Sequence, residues 1–114
     1  MRVLIGTDGS EDAITAARDG LALLAQPESV TLVSVMDTPA AATAGMESGF
    51  AGGMVSDSAV DAAWAAAEQE AREAIEATAA ALDTTATIEQ VTTPGDPGQV
   101  LCRLAEELDI DVIV

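Results

Sequence analysis

The sequence predicts an α/β domain, a three-layer α/β/α sandwich built around a parallel twisted sheet. Three observations predict it. Short β-branched-rich runs alternate with stretches of helical period, in the order βαβαβαβ. The first of those runs, Val3 to Ile5, is continuously apolar, as a strand covered on both faces requires. The 114 residues are 49% hydrophobic but only 2% aromatic, so one core of Val, Ile, Leu and Ala must fill a single domain, residues 1–114.

The first strand is Val3, Leu4 and Ile5, ending in Gly6, Thr7, Asp8, Gly9 and Ser10. Ser10 is placed to cap the helix that follows, with Glu11 and Asp12 in its first turn. Ile14, Ala17, Leu21, Leu24 and Ala25 form its apolar stripe, and Pro27 ends it. Residues 30–36 make the second strand, which stops at Asp37, Thr38 and Pro39. Residues 39–56 are rich in Ala, Gly, Thr and Ser without a period, and are expected to form a functional or mobile loop. Asp57 or Ser58 can cap a long helix reaching about Leu82, with Val60, Trp64, Ala67, Ala71, Ile75, Thr78 and Leu82 on one arc. Trp64 is expected as a core anchor. Residues 86–91 alternate and suit a third strand nearer an edge. Gly95, Asp96, Pro97 and Gly98 turn into a third helix, with Pro97 in its first turn and Val100, Leu101, Leu104 and Leu108 inward. Asp111 to Val114 open a fourth strand.

Composition removes whole classes of chemistry. There is no histidine, which excludes Ser-His-Asp and Cys-His catalysis and histidine-ligated metals. Cys102 is the single cysteine and sits off the third helix's apolar stripe, so it reads as an inert thiol. The only cations are Arg2, Arg18, Arg72 and Arg103. Without lysine there is no P-loop and no phosphoacceptor receiver site. A net charge of −16 argues against nucleic acid as a partner. The 20 acidic residues fit either a surface for a basic partner or adaptation to molar salt. Their even spread favours the second. No apolar stretch approaches the ~20 residues a bilayer needs, so a soluble, cytoplasmic protein with no membrane partner is expected. Met36, Met46 and Met54 are expected as gap fillers around the long loop.

In a parallel sheet of this kind, ligands sit at the carboxyl ends of the strands. There, Asp8 can hold a sugar hydroxyl or a Mg²⁺ bridged to phosphates, and the amides of the next helix suit an anion. Taken alone, Asp8 serves equally well as a turn or cap residue. An ATP-pyrophosphatase site would need Ser-Gly-Gly-x-Asp-Ser, which residues 7–12 do not supply.

The run from Val3 to Glu11 resembles the opening of the universal stress protein family: apolar strand, small residue, Thr or Val, Asp, Gly or Phe, Ser. Residues 31–35 are similar to that family's second strand, Gly95-Asp96-Pro97 to its Gly-(Asp)-Pro turn, and residues 105–114 to its next helix and strand. The resemblance spans essentially all 114 residues, and the acidity without lysine further resembles members from salt-loving archaea. It implies a Rossmann-like, adenine-nucleotide-hydrolase-like fold that binds ATP or AMP in stress response or signalling, often as a homodimer. It assigns the nucleotide to Gly6, Thr7, Asp8 and Val35, with Ser10 and Gly95 as accessories and Mg²⁺ reached through phosphates near Asp8. The family's glycine-rich loop, Gly-x2-Gly-x9-Gly-Ser/Thr, and its fifth strand would follow Val114. By ordinary element lengths another loop, helix and strand would add roughly 25 to 30 residues, and the expectation is either that these follow or that a partner covers the last strand. No catalytic residue is assigned, and ATP hydrolysis is expected to be slow at most. The alternative is a dimeric protein-interaction module of the same fold that binds no nucleotide.

Overall fold

The computed structural model describes residues 1–25, 27–36 and 57–114. The expected loop at 39–56, with Met46 and Met54, lies outside them. The described chain runs β1 (Arg2–Gly6), α1 (Glu11–Ala22), β2 (Ser29–Met36), α2 (Asp57–Ala81), β3 (Thr87–Pro94), α3 (Pro97–Glu107) and β4 (Val112–Ile113).

All pairings are parallel and the strand order is β3-β2-β1-β4. In register, Val3 lies opposite both Val30 and Val112, and Leu4 opposite Thr31 and Ile113. The chain thus steps outward from β1 to β3, then returns to the other side of β1. That reversal opens a crevice at the carboxyl end of β1. As its alternation indicated, β3 is an edge strand.

Side-chain alternation sorts the core into two faces. Val3 and Ile5 of β1 join Val30 and Leu32 of β2 against Ala17 and Leu21 of α1 and Ile75 of α2. Gly6 faces the other way, where a Cβ would come 3.1 Å from Leu101 Cδ1 of α3. Helices α1 and α2 therefore cover one face and α3 the other, which makes the three layers.

Local rules explain the boundaries. Ser10 caps α1, its Oγ accepting from the Ala13 amide at 3.1 Å. Asp96 does the same for α3, accepting from the Gln99 amide at 3.1 Å, with Pro97 in the first turn. Three expectations change. Helix α1 stops at Ala22 rather than near Pro27, because the amides of Leu23 and Leu24 turn back onto Gly20 and Leu21. Leu24 still packs on the core, whereas Ala25 is exposed. Trp64 is half-buried rather than a core anchor, as are Val60 and Ala67, while Ala71, Ala74, Ile75 and Thr78 are buried. A 25-residue helix is about 37 Å long, and the eight residues of β2 span only about 26 Å. The first turns of α2 therefore outrun the sheet. Strand β3 continues past Val91 to Pro94, still paired with β2.

Candidate functional site

At the carboxyl end of β1 the chain must leave the sheet and start α1 within four residues, and each of those residues is tied down. The Thr7 amide donates to the Val33 carbonyl at 2.9 Å, holding β1 against β2. Its hydroxyl lies 2.7 Å from the Thr78 hydroxyl of α2. Because Thr78 Oγ1 donates to the Ala74 carbonyl at 2.8 Å, Thr7 is the donor to Thr78. Thr7 Oγ1 in turn accepts the Gly9 amide at 3.1 Å. The chain Gly9, Thr7, Thr78, Ala74 is a buried, fully satisfied polar relay. Gly9 has φ 78°, and a Cβ there would meet Ala74 Cα at 2.8 Å, so only glycine fits this crossing.

Asp8 points out of this knot. The Ser10 amide donates to its Oδ1 at 2.9 Å. Hydrogen bonding from Ser10, first the hydroxyl and then the amide, holds the Asp8 carboxyl below its ordinary value of 3.8. The carboxylate is exposed and ionised at neutral pH.

Beside Asp8 lies a cavity of about 380 Å³, toward the small end of the usual range for ligand sites. Gly6, Thr7 and Asp8 form one wall, Val33 and Val35 of β2 another. Pro97 and Leu101 of α3 close the third side, with Ala13 and Val114 at the margins. Larger hollows exist among the described residues, of 420 Å³ on the other side of Asp8 beside Glu70 and Glu73, 540 Å³ around Arg2 and Glu89 and 560 Å³ between α1 and Leu82. The last two lie toward the amino ends of the strands, away from the reversal in strand order.

Four of the residues singled out in the sequence, Gly6, Thr7, Asp8 and Val35, therefore line one cavity. Ser10 and Gly95 do not. Ser10 is committed to Asp8 and Ala13, and the Gly95 amide donates to the Met36 carbonyl at 3.3 Å. Sequence reasoning, which brings Gly95 to Pro97 to this end of the sheet, missed Val33 and Leu101 as wall residues. Two signals were present: Val33 shares the face of Val35 two residues on, and Pro97 and Leu101 lie one helical turn apart. Thr7 turns its hydroxyl into the α2 side of the sheet, so it borders the cavity through its backbone. Cys102 is exposed, off the α3 stripe as expected, and Arg103 pairs with Glu107 at 3.8 Å. No group of three acidic or sulfur side chains among the described residues is arranged to hold a metal ion.

A model of the universal stress protein family matches residues 1–114. This chain belongs to that family. Solved structures of similar fold include Rv1636 from Mycobacterium tuberculosis H37Rv, at 17% identity and a TM-score of 0.54, covering 98% of this chain and 67% of that one. The hypothetical protein MJ0577, the subject of a structure-based assignment of biochemical function, is 20% identical with a TM-score of 0.53, over 98% of this chain and 71% of its own. The hypothetical protein PH0823 is also 20% identical, with a TM-score of 0.63 over 98% and 75%. At these identities the likeness concerns the fold. No curated protein matches. Among the described residues of this universal stress protein, no helix is long and apolar enough to cross a membrane.

Proposed function

We propose that this universal stress protein binds an adenine nucleotide, ATP or AMP, in the cavity beside Asp8, as a cytoplasmic stress-response or signalling module that works as a homodimer. The observation that carries the reading is that Gly6, Thr7, Asp8 and Val35, the positions matching the family pattern, border one cavity. Its walls suit the ligand: Val33, Val35, Pro97 and Leu101 offer apolar surface to a base, and Gly6 adds no side chain. Asp8 is the acceptor for ribose hydroxyls or for a Mg²⁺ carried on the phosphates. In this reading the backbone at Val35 reads the base edge, and Thr7 contributes main chain only. A bound Mg²⁺ would supply charge neutralisation of the phosphates. Without histidine or lysine, phosphoryl transfer would rest on Asp8, a metal and backbone amides, so hydrolysis is slow at most.

Calorimetry of Mg-ATP binding in molar KCl tests this. Asp8→Ala is expected to weaken affinity at least about tenfold, roughly 1.4 kcal/mol. Unchanged affinity in that variant would overturn the site assignment.

A further inference from the structure

The register of the sheet gives the cavity beside Asp8 a mouth and a floor. Gly6 lies opposite Val33, so the two form one row across β1 and β2. Val35 is two residues further along the same face, toward the carboxyl end, and Asp8 follows Gly6 in that direction. Helix α3 leaves the carboxyl end of β3 and runs back toward the start of β4. Leu101 therefore lies one turn, about 6 Å, deeper than Pro97. Asp8, Val35 and Pro97 surround the mouth, and Gly6, Val33 and Leu101 close the floor. The floor carries no polar side-chain atom.

Leu101 has no room to retreat from the cavity toward β1. A Cβ on Gly6 would lie 3.1 Å from its Cδ1 and 3.4 Å from its Cδ2, so both methyl groups rest directly on the strand backbone. They fit there only because position 6 has no side chain. Val33, next to Gly6 in the row, is fully buried and equally fixed. Leu101 is half-buried, its remaining surface open to the cavity.

We propose that Leu101 is a specificity-determining residue, an end stop that limits how far a ligand ring enters the cavity, and that Gly6 positions it. A ring held between β2 and α3 turns one edge to the floor. Adenine with that edge unsubstituted is accepted, and adenine widened there by an alkyl group is rejected. The proposal rests on the adenine-nucleotide reading and adds to it the residue that sets the size of the base.

The test is calorimetry on the whole chain in molar KCl with AMP and three analogues bearing an ethyl group at C2, N6 or C8. An ethyl group is smaller than the isopropyl group that Leu101→Ala removes. In the unaltered chain, one analogue is expected to bind about tenfold or more weakly than AMP. Leu101→Ala should close most of that gap and leave the other two analogues unchanged relative to AMP. Leu101→Val, which disturbs packing less, should close part of it, with circular dichroism confirming the fold of each variant. Gly6→Ala pushes Leu101 into the cavity and should weaken AMP about threefold or more, and adding Leu101→Val should restore the affinity. Such rescue would not follow if Gly6 only touched the ligand. AMP binding with every gap unchanged in both Leu101 variants, or without rescue of Gly6→Ala, would overturn the proposal and leave the adenine-nucleotide reading intact. Binding of no adenosine compound would overturn both.

Discussion

Thr7 and Thr78, 71 residues apart, share a buried hydroxyl-to-hydroxyl hydrogen bond of 2.7 Å that fastens the end of β1 to the last turn of α2. Thr7 is 8% exposed and Thr78 fully buried. The bond sets the height at which α2 crosses the sheet, and with it the position of the Asp8 loop.

Breaking that bond from one side strands a buried hydroxyl. Thr78→Val leaves the Thr7 proton without an acceptor and should cost about 1–3 kcal/mol in urea unfolding. Thr7→Val should cost a similar amount, and the double variant less than the two together. Strict additivity of the two changes would show that the hydroxyls act independently.

The crossing of Gly9 over Ala74 is the tightest backbone approach at the site. Gly9→Ala must place a Cβ within 2.8 Å of Ala74 Cα at φ 78°, and should cost about 2–4 kcal/mol. Gly98→Ala is the control, since its Cβ meets only ordinary contact, 3.5 Å from Asp96 Oδ2. It should be neutral or stabilising by up to about 1 kcal/mol. Equal effects of the two changes in the same unfolding assay would contradict this account.

Asp8 supplies a pH dependence of definite sign. Its carboxyl is held below 3.8 in the folded chain by Ser10. The contribution is thus fully present above the unfolded value and lost as pH falls through the folded one. Carbon-detected NMR titration should place the Asp8 midpoint below 3.8. A midpoint at or above that value would contradict the hydrogen bonds described.

Charge across the whole chain predicts a salt dependence. We propose that the acidity is an adaptation to molar salt: 20 carboxylates face four arginines. The ion pairs of Arg18, Arg72 and Arg103 are solvent-exposed, and such pairs add little. The thermal midpoint should rise as KCl increases from about 0.1 M to about 3 M, where the Debye length falls from about 10 Å to below about 3 Å. A melt insensitive to KCl would refute the adaptation.

Much of this was legible in the sequence because it is local. Alternating strand and helix periods, Ser10 before an acidic first turn, and Pro97 after Asp96 each carry their structural meaning within a few residues. The alternation of residues 86–91 even placed β3 at an edge. The rest depends on distant partners. Helix period runs on through Leu23 and Leu24, and only the turn back to Gly20 and Leu21 ends α1. Trp64 shares an arc with Ile75, yet the sheet is too short to reach it. The place of Thr7 beside Asp8 is visible in the sequence, but that its hydroxyl bonds Thr78, far along the chain, is not. Likewise, Leu101 became a wall of the cavity only when α3 packed across Gly6.

The central claim is that an adenine nucleotide occupies the cavity where β1, β2 and α3 meet. Backbone NMR shift mapping during a Mg-ATP titration in molar KCl tests it most directly. The account predicts that the largest changes cluster on Gly6, Asp8, Ala13, Val35 and Leu101. Changes centred instead on Arg2, Ser29 and Thr87, at the other end of the sheet, or no changes at saturating nucleotide, would contradict it.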